Sequence, residues 1–346
     1  AEQLFLLLKN FFGDGFWAAI GAEMALTLLF FLLPTAAMGT TFRHLAQSLR
    51  RSDGGVGQAH CVNTLGSAMA PLIFGVLLLP VMGIKFCIVL VSLGYLLLLT
   101  RPERSEIFPT AVPLTVAFFI AIHPNPYQFV SLIPGDTVIS HHEGVMASVS
   151  VVKDEKDGVH LKVNNHFQMG GTSSVFSDWR QGLLPLLLHR RPERALFLGL
   201  GTGATGAAAG NYPGLLTDGV ELIPEVTKVM SYFEKSTGDL GQLENLNIVN
   251  ADARRYVAST DNQYDVIVAD LFHPSRDGAA SLYTVEHFHA VRNLLTEEGL
   301  FCQWLPLYQL DIDMFKVIVR TFLEVFPEGQ AYLGHYSLDY PIIALI

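Results

Sequence analysis

The stretch Ala195-Leu-Phe-Leu-Gly-Leu-Gly-Thr-Gly-Ala-Thr-Gly206 decides how the second half of this chain is read. Leu196 to Leu198 make a short buried strand. Gly199, Gly201 and Gly203 then let the backbone turn tightly and pass close to a ligand before a helix of small residues begins at about Gly203. A G-x-G-x-G loop alone is weak evidence. About 20 residues further on, however, Leu215-Leu-Thr-Asp-Gly-Val-Glu221 ends in a carboxylate, the spacing at which an acid accepts hydrogen bonds from ribose hydroxyls. Two more acids follow apolar, strand-like runs: Asp252 after Leu246-Asn-Ile-Val249, and Asp270 at the close of Tyr264-Asp-Val-Ile-Val-Ala-Asp270. Three carboxylates at successive strand ends, after a glycine loop, predict one shared pocket for a nucleoside or dinucleotide.

Strands are expected near 195–199, 216–221, 246–250, 264–269, 299–304, 328–334 and 340–346, with helical stretches between most of them. That alternation implies a mostly parallel, doubly wound sheet that binds ligands at the carboxyl ends of its strands. Ahead of it, Asp136-Thr-Val-Ile-Ser140, Ala147-Ser-Val-Ser-Val-Val152 and Val159-His-Leu-Lys-Val163 alternate as short strands, and Lys153-Asp-Glu-Lys-Asp-Gly158 supplies a turn ending in Asp-Gly. A small antiparallel sheet is expected there.

Half of the 346 residues are hydrophobic and 16% are charged, which is apolar for a soluble chain of this length. The excess lies in the first third. Phe16 to Thr41, Val62 to Gly83 and Ile84 to Thr100 each approach or reach the length needed to cross a hydrocarbon layer of roughly 30 Å as helices. Pro109 to His123 is shorter, and residues 1–12 fit the tail of another span or an interfacial helix. Arg43, Arg50 and Arg51 after the first span, and Arg101 and Arg104 after the third, place both loops on the cytoplasmic side, with the second and third spans forming a hairpin. The chain is thus expected to be an integral protein of the bacterial inner membrane. If 109–123 crosses, the soluble half lies outside; if it lies in the interface, the soluble half is cytoplasmic, where nucleoside metabolites are found, and that is the side favoured. Glu23, inside the first span, either has a functional partner or lies near the headgroups. The missing initial Met and the apolar run Pro341 to Ile346 at the end suggest a trimmed, longer protein.

Cys61, Cys87 and Cys302 are far apart and offer neither a disulfide framework nor a zinc spacing. His141-His142 and His287-x-His289 lack companion ligands, so no metal is expected. A net charge of −10 without a basic stripe argues against nucleic acid. A transporter role is disfavoured, because there are too few spans for two pseudo-symmetric halves.

Taken together, several motifs resemble those of the spermidine synthases (polyamine aminopropyltransferases), in the branch fused to a multispanning membrane domain. In the membrane part the resemblance rests on Leu33-Pro-Thr-Ala-Ala-Met-Gly-Thr-Thr-Phe42, Asn63-Thr-Leu-Gly-Ser-Ala-Met and Gly75 to Gly83. In the soluble part it rests on Glu143-Gly144, Val163-Asn-Asn-His-Phe-Gln168, the glycine loop, Glu221, Asn250-Ala-Asp252, Asp270 with Pro274, Ser281-Leu-Tyr-Thr284 and Gln303-Trp-Leu-Pro-Leu-Tyr-Gln309. It implies three parts: transmembrane helices over 1–124, a small β-hairpin domain over 125–175, and a Rossmann-like α/β domain of the methyltransferase and spermidine synthase type over 176–346.

The resemblance also implies aminopropyl transfer from decarboxylated S-adenosylmethionine to a polyamine such as putrescine. Asp270 then holds and deprotonates the attacking amine. Glu221 and Asp252, with Ala253 and the loop Gly199, Gly201, Thr202 and Gly203, hold ribose, adenine and the sulfonium arm. Gln168, His273 and Tyr340 line the acceptor side.

Two positions depart from the family pattern. Thr202 stands where the loop usually carries an Asp that grips the aminopropyl ammonium, and His273 precedes Pro274 where the family has a second Asp. Losing two charge-assisted contacts weakens amine binding by on the order of several kcal/mol. Three readings therefore stand side by side. They are an aminopropyltransferase, using decarboxylated or intact S-adenosylmethionine; a pseudoenzyme serving as a structural or binding subunit of a membrane complex; and an S-adenosylmethionine-dependent methyltransferase. Expected partners are an amine, membrane lipid, other membrane subunits and a second copy of the chain.

Overall fold

The computed structural model describes residues 2–13, 15–49, 55–95, 107–123, 130–165, 167–210, 212–238, 240, 243–272, 274, 278–335 and 337–346. The chain divides into two compact units, residues 1–77 and 78–346.

In the first unit, α1 (Glu2–Phe12) and the long α2 (Phe16–Leu49) are followed by α3 (Gly55–Ala70). Small residues permit the close approach of α1 and α2. Ala18 and Ala22 are buried, and a Cβ on Gly21 would press on the Phe12 ring at 3.3 Å. Many other apolar side chains are exposed, with Phe11, Trp17 and Leu33 each at least three-quarters exposed. Two helical stretches, Phe16–His44 and Gly55–Gly94, are long and apolar enough to cross a membrane. Gly83 interrupts the second with φ 72° and ψ 165°, the position at which the sequence divides one apolar segment from the next.

The second unit begins in α4 (Leu79–Gly94) and α5 (Ile107–Ile122), which pack together; Lys85 Nζ donates to the His123 carbonyl at 2.6 Å. Four strands follow as an antiparallel meander: β1 (Thr137–Glu143), β2 (Ser148–Lys153), β3 (Val159–Val163) and β4 (Phe167–Gly171). The Asp-Gly turn between β2 and β3 forms as its residues dictate. Asp157 takes φ 65°, and the Asp154 side chain accepts the backbone N–H groups of Lys156 and Gly158, both at 2.8 Å.

The rest is a Rossmann-like layer of sheet between helices. After α6 (Val175–Leu188) come β5 (Arg194–Leu198), α7 (Ala204–Gly210), β6 (Leu216–Glu221), α8 (Pro224–Val229) and α9 (Glu234–Thr237). Then follow β7 (Leu246–Asn250), α10 (Ala253–Ser259), β8 (Tyr264–Ala269), α11 (Val285–Asn293), β9 (Leu295–Pro306), α12 (Ile312–Val325), β10 (Ala331–His335) and β11 (Ile342–Leu345). The sheet order is β10-β11-β9-β8-β5-β6-β7. β5 through β9 are parallel, and β11 inserts antiparallel between β9 and β10.

Ala195–Leu198 of β5 and Val266–Ala269 of β8 are apolar throughout because both faces are covered. Ala195 and Phe197 of β5 join Val266, Val268 and Trp304 in one core with Leu186 and Ala207. Leu196 and Leu198 turn to the other, with Ile267, Phe288, Phe301 and Phe322. Strand order runs outward in opposite directions from β5 and β8, so the crevice at their carboxyl ends is a topological switch point.

Candidate functional site

Register brings the sequence-predicted acids to that crevice. Leu198 pairs with both Val220 and Ala269, so Gly199, Glu221 and Asp270 emerge side by side from three adjacent strands, and Glu221 pairs in turn with Asn250. Backbone bonds continue past the strands: Gly199 N donates to the Val220 carbonyl at 2.8 Å and Asp270 N to the Leu198 carbonyl at 3.0 Å.

The loop needs its glycines. Gly199 has φ 86°, and a Cβ there would meet the Asp270 Cβ at 3.1 Å and the Phe272 ring at 3.2 Å. Gly203 has φ 88°, and a Cβ would run into Leu240. Strand-to-helix reversal and close approach to Asp270 are thus set by the same residues.

Glu221 is 3% exposed. Its Oε2 accepts the backbone N–H groups of Leu200 and Gly201, each at 3.2 Å, and its Oε1 that of Ile223 at 3.0 Å. Burial pushes its carboxyl pKa up, and these N–H bonds oppose that rise. A carboxylate already occupies the loop donors that a phosphate would use, so the pocket suits a nucleoside better than a nucleotide. A carboxylate has about four lone-pair sites, which leaves Glu221 capacity for ribose hydroxyls.

Asp252 caps α10, and Ala253 is that helix's first residue. Asp252 Oδ1 accepts Arg254 N at 2.9 Å and Nε at 3.1 Å, while Nη2 reaches Oδ2 at 2.5 Å. The Arg254 side-chain bond is the largest cause of its lowered pKa. Arg254 continues to Ser281 Oγ at 2.6 Å. Buried His287 packs nearby; desolvation, then the Arg254 charge, pushes its pKa down to about 4. It is neutral at pH 7.

Asp270 is half-buried, and desolvation raises its pKa to about 7, with smaller contributions from the charges of Asp178 and Glu221. Its Oδ1 accepts the Leu271 N–H at 2.7 Å. A carboxyl poised near neutrality at a strand end fits a general base.

Sequence reasoning missed part of the surroundings. Asp178, in the first turn of α6, accepts Ser174 Oγ at 2.8 Å, and desolvation raises its pKa to about 6. Buried Tyr283 donates its hydroxyl to the Phe272 carbonyl at 2.6 Å, and burial, then the charge of Asp270, raises its pKa. Gln303, fully buried, pairs in register with Ala269 and directs Nε2 to the Asp270 and Trp304 carbonyls. Tyr308 stacks edge-on against Tyr340 with centroids 5.3 Å apart; burial raises its phenol pKa, helped by Tyr340, Asp270 and Asp178. The motifs Ser281-Leu-Tyr-Thr284 and Gln303-Trp-Leu-Pro-Leu-Tyr-Gln309 contained Tyr283, Gln303 and Tyr308 without a role for them, and no sequence signal marked Asp178.

Thr202 is buried in the loop, against Gly170. Gln168 lies on β4, opposite Lys162; its side chain is outside the description. His273 lies outside the described residues. Among the described residues, no group of three or more His, Cys, Asp or Glu side chains is arranged to hold a metal ion.

Residues 183–335 match the family model for the spermine/spermidine synthase domain. Among similar proteins, the polyamine aminopropyltransferase of Thermotoga maritima is 30% identical over 167 residues, covering 46% of this chain and 53% of that one. Its counterpart in Methanocaldococcus jannaschii is 32% identical over 168 residues, covering 47% and 57%. Polyamine aminopropyltransferase 2 of Aquifex aeolicus is 23% identical over 248 residues, covering 68% and 50%. The chain thus spans about half the length of these relatives. Two solved structures share the fold. A spermidine synthase in complex with the transition-state analogue AdoDATO has a TM-score of 0.55 at 23% identity, covering 60% of this chain and 72% of that one. The Thermotoga maritima spermidine synthase has a TM-score of 0.54 at 24% identity, with the same coverage.

Proposed function

From a chain that carries a spermine/spermidine synthase domain and counts polyamine aminopropyltransferases among its relatives, we propose that this protein is a membrane-anchored aminopropyltransferase. Its donor is decarboxylated S-adenosylmethionine and its acceptor a polyamine or another amine. The observation that carries this reading is the alignment of Gly199, Glu221 and Asp270 at the switch point.

In this reading Glu221 accepts the ribose hydroxyls and Asp252, beside Ala253, accepts the adenine amino group. Gly199, Gly201, Thr202 and Gly203 let the sulfonium arm lie against backbone. Gln168, His273 and Tyr340 belong to the acceptor side. The attacking amine must be neutral at nitrogen. Asp270 holds it and takes its proton as nitrogen bonds to the propyl carbon next to sulfur. The carbon–sulfur bond breaks with its electron pair going to sulfur, so the sulfonium leaves as neutral methylthioadenosine. Loss of positive charge from sulfur and gain of a proton by Asp270 balance the step. Acidic surroundings attract both cations, and burial holds Asp270 near the pKa a base needs at neutral pH.

Residues 1–124 form the membrane part in this reading, 125–175 the small β domain and 176–346 the catalytic domain. The outward apolar side chains of α2 support lipid contact. The catalytic part belongs on the cytoplasmic side, where the donor is made. Calorimetry with methylthioadenosine, decarboxylated and intact S-adenosylmethionine tests the reading; binding of none of the three would end it. A second reading, a non-catalytic subunit of a membrane complex, draws on Thr202 in the loop. Turnover that disappears in Asp270→Asn would sink it.

A further inference from the structure

Among the described residues, Asp178 and Asp270 are two half-buried carboxylates without a basic partner. Among the described residues, neither forms an ion pair, and Asp178 receives only the Ser174 hydroxyl at 2.8 Å. Leaving negative charge partly out of water without a cation is costly, so two such acids beside one glycine loop, Asp270 against Gly199 and Asp178 near Thr202, suit a cationic ligand.

The position of Asp178 narrows this further. Gly170, at φ 88°, has no side chain, and the space a Cβ would take is bordered by Thr202 Cγ2 at 3.1 Å, Thr202 Oγ1 at 3.5 Å and Asp178 Oδ2 at 3.7 Å. The α6 carboxylate and the loop threonine therefore approach the same point beside Gly170. Gln303 is a second pointer to a ligand. It is 0% exposed, its Nε2 is turned to the Asp270 carbonyl, and its Oε1 has no partner among the described residues, which leaves a buried acceptor at the same strand end.

We propose that Asp178 receives the primary ammonium of the donor's aminopropyl arm, so that the carboxylate missing from the glycine loop at Thr202 is supplied from α6. The assignment rests on the aminopropyltransferase reading above and deepens it. It makes Asp178 a specificity-determining residue. A carboxylate there attracts the arm of decarboxylated S-adenosylmethionine and repels the additional carboxylate of the intact molecule.

The test is calorimetry on the detergent-solubilised full chain with three probes: methylthioadenosine, decarboxylated S-adenosylmethionine and S-adenosylmethionine. Wild-type protein is expected to bind the decarboxylated form at least about tenfold more tightly than the intact one; equal affinity overturns the proposal without any variant. Asp178→Asn is expected to reduce that preference by roughly tenfold to a hundredfold while methylthioadenosine affinity, which reports the folded adenosine half, stays the same. Thr202→Asp added to Asp178→Asn is expected to restore the preference. An unchanged preference in Asp178→Asn, or an equal loss for all three probes, overturns the proposal. If wild-type protein binds none of the probes, the underlying reading fails first and the assignment falls with it.

Discussion

Glu221 Oε2 accepts the backbone N–H of Gly201 at 3.2 Å, so the carboxylate ending β6 holds the loop that leaves β5. Leu200 N donates to the same oxygen. Glu221→Ala would leave both N–H groups unpaired in a buried setting, at about 1–3 kcal/mol each. A lower melting temperature together with lost methylthioadenosine binding is expected. Normal stability in the variant would contradict the geometry.

Because those donors already face a carboxylate, ligands with a 5′-phosphate should be excluded. Adenosine phosphates are expected to compete for the site at least about tenfold more weakly than methylthioadenosine, since a second anion would lie close to Glu221 in a poorly screened pocket. Competition calorimetry checks this, and equal affinity would return the loop to the phosphate-binding class.

Asp270 connects activity with stability. Its folded pKa, about 7, lies above the ordinary 3.8, so the folded state holds that proton more tightly than the unfolded chain. The stability it contributes is fully present below about pH 3.8 and is lost as pH rises through 7. Asp270→Asn should therefore raise the melting temperature at pH 8 and leave it nearly unchanged near pH 4, with a ceiling of about 4 kcal/mol. The same change should lower kcat by about 100- to 10,000-fold. In wild-type protein kcat/KM should rise with pH through about 7, the side on which the carboxylate is free to accept a proton.

Gly199→Ala tests the packing of loop against base. At φ 86° an added methyl is strained, and it would press on Asp270 Cβ and the Phe272 ring. A loss of about 1–2 kcal/mol in stability is expected, with a fall in kcat larger than the fall in donor affinity. Denaturation curves and steady-state kinetics separate the two effects.

The apolar helices give a physical prediction of their own. If Phe16–His44 and Gly55–Gly94 lie in lipid, the protein stays with the membrane pellet after alkaline carbonate washing and needs detergent for release. Release by carbonate alone would contradict anchoring.

Most of the sheet was legible because its strands are short apolar runs bounded by glycine, proline and acid, and because both faces are buried. β4 was missed. Gly170 and Gly171 weaken strand propensity, and the strand is held by its pairing with β3. β9 extends back to Leu295, through Glu297, Glu298 and Gly299, a composition that reads as a turn. In the site, the loop, Glu221, Asp252 and Asp270 stood out because each closes or just follows a strand. Asp178 did not, since it lies in an amphipathic helix without a motif. It reaches the crevice through the close packing of α6 on α7, where Gly182 leaves no room for a Cβ against the Thr205 carbonyl. Contacts of that kind depend on tertiary packing, which local spacing does not encode.

The most direct test of the central claim is product analysis by mass spectrometry, with purified full-length protein, decarboxylated S-adenosylmethionine and putrescine, alongside Asp270→Asn. The account predicts methylthioadenosine and an aminopropylated amine in equal amounts, both lost in the variant. A methylated product, or equal turnover in Asp270→Asn, would contradict it.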